Sequence, residues 1–223
     1  MKIENIKACI FDAYGTLFDV NSAAEKCKKK LGNKWEGFAN AWRTTQLEYT
    51  WIRSLMKKHK NFWEITEDSL DHTMETFKIK KEMRKELLDL YKKLSPYPEV
   101  KKCLESLSSK KIKMGILSNG TPDLILDLVK NNNIENYFDD IFSIESVGVY
   151  KPDSKVYEMP IKKYDCKPEN ICFMSSNTWD VSGGGIFGYN AVWVNRLNKV
   201  FDKLSYKPKF IIKNLNELLN IIY

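Results

Sequence analysis

The sequence predicts an α/β protein: an open parallel sheet with a block of helices inserted after its first strand. Three observations predict it. Short, continuous apolar runs end in small or polar residues, as buried parallel strands do. Helical patterns separate these runs, and strand–helix alternation implies crossover connections. One long stretch, residues 20–95, contains no convincing strand pattern.

The first run is Ile6 to Phe11, followed by Asp12-Ala13-Tyr14-Gly15-Thr16. A glycine turn after such a run reads as a strand feeding a loop. In the inserted stretch, Ser22-Ala23-Ala24-Glu25 has capping-box spacing. Phe38, Trp42, Leu47, Ile52 and Leu55 then recur at approximately helical spacing, Thr66-Glu67-Asp68 opens a further helix, and Lys80 to Leu94 forms another. Pro96-Tyr97-Pro98 marks the return to the core, and Val100, Leu104 and Leu107 share a helix face.

A second strand, Ile112 to Leu117, ends in Ser118-Asn119-Gly120. Thr121-Pro122-Asp123 starts a helix, with Thr as N-cap and Pro at the first helical position. Ile141 to Ile144 is a weaker strand. Ile171 to Met174 is a strong one and runs into Ser175-Ser176-Asn177. Gly183-Gly184-Gly185 lacks cofactor-fingerprint spacing and suits close helix-to-sheet approach. Ala191 to Val194 ends in Asn195-Arg196, and Phe210 to Ile212 is the last, weaker strand. The sum is a Rossmann-like core of residues 1–19 and 96–223, interrupted by a helical subdomain over 20–95. Pro160 sits three residues after Tyr157, where a helix is expected. An interior proline costs about 3 kcal/mol, so that helix either starts late or kinks.

Composition narrows the function classes. With 223 residues, 43% of them apolar, the chain suits one large domain or one domain with an insert. No apolar run reaches transmembrane length, and the N-terminus is too short and charged for a signal peptide. Five cysteines without CxxC spacing read as reduced thiols, so a cytoplasmic protein is expected. Two histidines argue against a histidine-rich zinc site. The net charge of +7 is uneven: residues 20–95 carry 17 Lys and Arg against 11 Asp and Glu. This reads as a lysine-rich solvated surface able to steer small anions, rather than as a nucleic-acid or membrane footprint. Arg53 reads as a structural ion pair.

Ligands of open α/β sheets bind beyond the carboxyl ends of the strands. Four polar clusters fall there: Asp12 to Thr16, Ser118-Asn119-Gly120, Lys151, and Ser175 to Asp180. A lysine near two carboxylates keeps them ionised at neutral pH, and an oriented carboxylate is a competent nucleophile.

These clusters resemble, in order, the four motifs of the haloacid dehalogenase superfamily: Asp12-Ala13-Tyr14-Gly15-Thr16-Leu17-Phe18-Asp19-Val20, Ser118-Asn119-Gly120, Lys151-Pro152-Asp153, and Ser175-Ser176-Asn177-Thr178-Trp179-Asp180. Trp42-Arg43 with Gln46-Leu47-Glu48-Tyr49-Thr50-Trp51 resembles the inserted helical cap of the L-2-haloacid dehalogenase branch. Two departures separate the chain from the phosphatases that dominate the superfamily. Tyr14 stands where they carry a leaving-group Asp, and Ser176 where they carry a magnesium-binding Asp. A hard divalent cation wants oxygen anions, so the resemblance implies no metal and no cofactor.

The resemblance also implies a mechanism. Asp12 displaces halide from C2 of an L-2-haloalkanoate with inversion, and water then attacks the resulting aspartyl ester, freeing a D-2-hydroxy acid. Thr16 and Lys151 orient Asp12, and Ser118 binds the substrate carboxylate. Arg43, Asn119 and Trp179 cradle the halide, with Tyr14 beside the substrate. Asn177 and Asp180 place and activate water, and Tyr157 and Ser175 shape the network around Lys151 and Asp12. The family's frequent homodimers leave a dimer open; neither nucleic acid nor membrane is expected as a partner. Two rivals remain: a phosphatase acting on a small phosphate monoester, and a non-enzymatic anion or nucleic-acid binder using the basic insert.

Overall fold

The computed structural model describes residues 2–222. Its sheet has six parallel strands in the order β3-β2-β1-β4-β5-β6. These are β1 (Ala8–Phe11), β2 (Lys113–Ser118), β3 (Asp140–Ser143), β4 (Ile171–Ser175), β5 (Asn190–Val194) and β6 (Phe210–Ile212). Every residue of β1 is fully buried, so helices or loops cover both faces of the sheet there. β1 pairs with β2 on one side and β4 on the other, and the chain order reverses at that point. Such a switch point opens a crevice at the carboxyl ends of the strands.

Five α-helices fall within residues 20–95: α1 (Ser22–Lys26), α2 (Lys28–Leu31), α3 (Trp35–Leu55), α4 (Phe62–Phe77) and α5 (Met83–Tyr91). The chain leaves and re-enters the core side by side. Phe18 and Pro96 form an antiparallel bridge, Asp19 N–H bonds the Ser95 carbonyl at 2.9 Å, and Tyr97 N–H bonds the Leu17 carbonyl at 3.0 Å.

The remaining helices are α6 (Val100–Ser109), α7 (Pro122–Asn131), α8 (Ser154–Tyr164) and α9 (Thr178–Phe187). Thr121 caps α7 through its hydroxyl, with Pro122 at the first position, as expected. Among the described residues no helix is long and apolar enough to cross a membrane.

Two local expectations are corrected and a third is narrowed. Ser22 caps nothing: its hydroxyl donates to the Asp19 carbonyl, and Asn21, the residue before α1, makes no side-chain cap bond. A capping box exists instead at Asn61 and Glu64, so α4 begins at Phe62, and Thr66 lies buried inside it. Pro160 sits inside α8, which starts at Ser154 rather than late. Tyr157 therefore occupies the first turns of α8 and is fully buried.

The triple glycine of α9 separates three neighbours, of which the sheet is one. A Cβ on Gly184 would lie 2.7 Å from the Phe173 ring in β4. On Gly183 it would meet the Tyr157 hydroxyl at 2.5 Å and Pro152 at 2.7 Å. Tyr157 is wedged among Phe173, Phe187 and Tyr189 and has no room to withdraw. Gly183→Ala is therefore expected to cost about 1–3 kcal/mol by overpacking, measured as the shift in urea midpoint.

Candidate active site

The site grows from the end of β1. Asp12 N–H still bonds the Met174 carbonyl of β4 at 2.9 Å, which carries the strand pairing one residue past Phe11. The chain then turns sharply: the N–H groups of Thr16, Leu17 and Phe18 converge on the Ala13 carbonyl. Gly15 takes φ +89°, a backbone conformation that other residues resist. This turn folds Thr16 back so that its hydroxyl reaches Asp12.

The Asp12 carboxylate is fully engaged from one side. Its Oδ2 accepts from Thr16 Oγ1 at 2.9 Å, Asn177 Nδ2 at 2.9 Å and Ser175 Oγ at 3.3 Å. Its Oδ1 faces Lys151 Nζ at 3.2 Å. Lys151 also donates to Asp180 Oδ2 at 2.9 Å, and the Tyr157 hydroxyl donates to Asp180 Oδ1 at 2.7 Å. Lys151 and Asp180 are wholly buried and Asp12 is nearly so.

In this desolvated site Lys151 and Asp180 shift each other. Burial alone would push the Lys151 ammonium down, but Asp12 and Asp180 together raise it above the ordinary lysine value. Burial pushes Asp180 up to about 6; Lys151 pulls it back, while Asp12 pushes in the same direction as burial. The Tyr157 phenol is driven far up, by burial first and then by Asp180, so it is a lasting proton donor.

Ser118 ends β2 beside this group. Its oxygen accepts the Gly120 N–H at 2.9 Å, so its own proton remains free for a ligand. Asn119 accepts the Lys151 N–H on its amide oxygen at 3.1 Å, which leaves its NH2 as a donor. Seven of the expected residues thus form one hydrogen-bonded network: Asp12, Thr16, Lys151, Tyr157, Ser175, Asn177 and Asp180. Asn119 joins it through the Lys151 backbone. Arg43 and Trp179 stand outside it and instead line an open cleft of about 640 Å³ over the strand ends, with Tyr14 and Asn177.

Arg43, on the α3 side of the cleft, is held by residues that periodicity did not single out. Arg43 Nη1 donates to Gln46 Oε1 at 2.8 Å, and Gln46 Nε2 bonds Thr66 Oγ1 at 2.7 Å and the Tyr91 hydroxyl at 3.1 Å. Gln46 is buried, and no salt-bridge partner holds Arg43 among the described residues. The Tyr14 ring packs against Phe62 and Tyr91, and its hydroxyl is buried with no partner among the described residues. Burial drives this phenol far up, and Tyr91 adds to the push. It is a neutral donor awaiting an acceptor. The available signal for Gln46 and Tyr91 was a polar residue one helical turn from Arg43 and an aromatic end to a helix.

A divalent cation of the phosphatase branch does not fit these residues. Lys151 already bridges the two carboxylates. Ser176 turns its hydroxyl to the Gly15 carbonyl at 2.7 Å, and its N–H bonds Thr16 Oγ1. Among the described residues no group of three His, Cys, Asp or Glu is arranged to hold a metal.

A model of the haloacid dehalogenase-like hydrolases matches residues 6–188. An (S)-2-haloacid dehalogenase of Pseudomonas fluorescens is 40% identical over 220 residues, 98% of this chain and 97% of that protein. Haloacetate dehalogenase H-2 of a Moraxella strain is 37% identical over 99% of each chain. The L-2-haloacid dehalogenase of Xanthobacter autotrophicus, solved with chloropropionic acid covalently bound, superposes with a TM-score of 0.89 at 31% identity, covering 96% of this chain and 97% of that one. Fold, strand-end carboxylate and full-length similarity agree: the chain belongs to the haloacid dehalogenase-like hydrolases.

Proposed function

We propose that this chain hydrolyses L-2-haloalkanoic acids to D-2-hydroxy acids through an ester on Asp12, without a metal, and that residues 20–95 act as the cap over the core of 1–19 and 96–223. The observation that carries this reading is the divided Asp12 carboxylate. Three donors saturate Oδ2, whereas among the described residues Oδ1 has a single partner, Lys151, and keeps a lone pair for attack. The cation beside it is an ammonium, which suits a singly charged carboxylate substrate. The Xanthobacter relative with chloropropionic acid covalently bound supports the ester.

In the first step Asp12 Oδ1 forms a bond to C2 as the carbon–halogen bond breaks, and halide leaves with the electron pair. Ser118 is the donor at the strand ends for the substrate carboxylate, while Arg43, the Asn119 NH2 and Trp179 meet the departing ion, with Tyr14 beside the substrate. Fixing nucleophile and carbon in line removes several kcal/mol of the barrier. In the second step water adds to the Asp12 carboxyl carbon as Asp180 takes its proton; the bond to the original Oδ1 then breaks, and that proton passes to the departing alkoxide to give the hydroxyl of the product. The product keeps the aspartate oxygen, and water restores the carboxylate. Asn177, on Asp12 Oδ2, steadies the charge that develops there.

Halide release from L- and D-2-chloropropionate in the presence of EDTA tests the reading. The L enantiomer is expected to give D-lactate at an undiminished rate. Turnover of neither enantiomer, or magnesium-dependent phosphate release from an aryl phosphate, would sink it. A pH profile adds a second check. Water activation needs the Asp180 carboxylate, so ester hydrolysis should fall as pH drops through about 6. Single-turnover ester formation should show no such limb at that pH.

A further inference from the structure

We infer that Arg196 is a positioning residue for the nucleophile: its guanidinium holds the Thr16 carbonyl, and through Thr16 it fixes the orientation of Asp12. This rests on the reaction proposed above. Arg196 follows β5, at the same carboxyl edge of the sheet as Asp12. Its Nη2 donates to the Thr16 carbonyl at 2.8 Å, while its Nη1 pairs with Glu99 Oε1. The guanidinium lies 3.9 Å from the Tyr97 ring centre. The Arg196 and Glu99 side chains are only 12% and 11% exposed.

The arrangement is a clamp with a fixed jaw. Glu99 also accepts the Leu215 N–H at 3.4 Å, and Tyr97 N–H bonds the Leu17 carbonyl. The arginine is thus anchored to the return segment of the core, and its free arm reaches the nucleophile turn. Thr16 is the next link: its hydroxyl donates to Asp12 Oδ2 and accepts the Ser176 N–H at 2.9 Å. A charge-assisted bond to a carbonyl is stronger than a neutral one. Arginine's planar fork serves two partners at once, which a lysine ammonium on a flexible stem does poorly. Glu99 neutralises the charge and Thr16 takes the second arm, so Arg196 lines the cleft without offering a free cation to substrate.

The test compares Arg196→Met and Arg196→Lys with wild type on L-2-chloropropionate, after circular dichroism confirms the folded fraction of each. Arg196→Met is expected to lower kcat about 10–100-fold with KM within about twofold, because the nucleophile is misaligned rather than the substrate unbound. Arg196→Lys, which keeps the charge but not the planar fork, should fall between wild type and Arg196→Met. The limb near pH 6 in single-turnover ester hydrolysis should stay in place, since Asp180 is untouched. A rise in KM at constant kcat, an unchanged kcat, or a loss that vanishes on correction for folded fraction overturns the inference. A crystal structure of Arg196→Met supplies a readout free of turnover. The Thr16 Oγ1 to Asp12 Oδ2 contact should open beyond about 3.5 Å, outside hydrogen-bond range, and retention of the bond overturns the inference. Wild type inactive on every 2-haloacid would refute the proposed reaction instead, leaving the structural arm to decide the clamp.

Discussion

Asp12→Asn is expected to abolish halide release, with a fall in kcat of about 10⁴-fold or more, the scale seen when a covalent nucleophile is removed. The amide is nearly isosteric, so the effect isolates charge and nucleophilicity. It also inverts one hydrogen-bonding atom. Whichever way the amide sits, its NH2 faces a donor: Lys151 at the Oδ1 position, or Thr16, Ser175 and Asn177 at the Oδ2 position. Intact-protein mass spectrometry of quenched mixtures should show a substrate adduct on wild type and none on the variant. In ¹⁸O-water a first turnover of wild type should place the label in the protein, with the product unlabelled. Retention of more than about a tenth of wild-type kcat would mean that water attacks C2 directly and that Asp12 is not the nucleophile.

Lys151→Met should have the second-largest effect, on stability as well as rate. It removes the ammonium shared by two buried carboxylates and leaves them facing each other. Breaking a buried pair by deleting one partner costs about 3–5 kcal/mol. The pH dependence has a definite sign. In wild type the fold raises Asp180 from 3.8 to about 6, so ionising that group makes the fold less stable as pH climbs across this range. Lys151, raised above 10.5, supplies stability present below that value and lost as pH rises through its folded pKa. In the variant the ammonium that opposed the burial of Asp180 is gone and only the Tyr157 hydrogen bond still favours its ionised form, so its pKa climbs further. The stability deficit should therefore be greatest at neutral and alkaline pH and shrink on acidification. Urea midpoints of both proteins between pH 5 and 9 measure this; a deficit independent of pH would exclude the paired-charge account. Halide release should fall at every pH, because Asp12 loses its oriented partner.

Much of this was legible in the chain. β1, β2, β4 and β5 announce themselves because parallel strands buried on both faces need unbroken apolar runs. The polar clusters at their ends carry Asp12, Ser118 and Ser175 into the site as a matter of topology. Helix α3 was harder to read. Its buried residues include Gln46 and Thr50, whereas Ile52 and Leu55 are 49% and 84% exposed. Apolar periodicity assumes that a helix buries its greasiest face, and this one turns polar groups inward because they hold Arg43 and meet α4. The start of α4 was missed for a related reason. Asn61 and Glu64 form the capping box, but Phe62 and Trp63 between them resemble any apolar pair. Tyr157 lay beside a proline that argued against helix. Pro160 falls a turn after Tyr157, leaving that residue's position in α8 intact.

The paired crossing at Phe18 and Pro96 has a consequence for how the chain can vary. Because the segments that enter and leave the helical block are hydrogen-bonded to each other, the core experiences the block as a closed loop of fixed mouth. Lengthening or shortening such a loop changes its closure entropy only logarithmically, about 0.6 kcal/mol per doubling. The core can therefore keep its register and its nucleophile while the block is exchanged for another of different size. What such an exchange must replace is local: an arginine held by a buried amide, and aromatic walls around Tyr14.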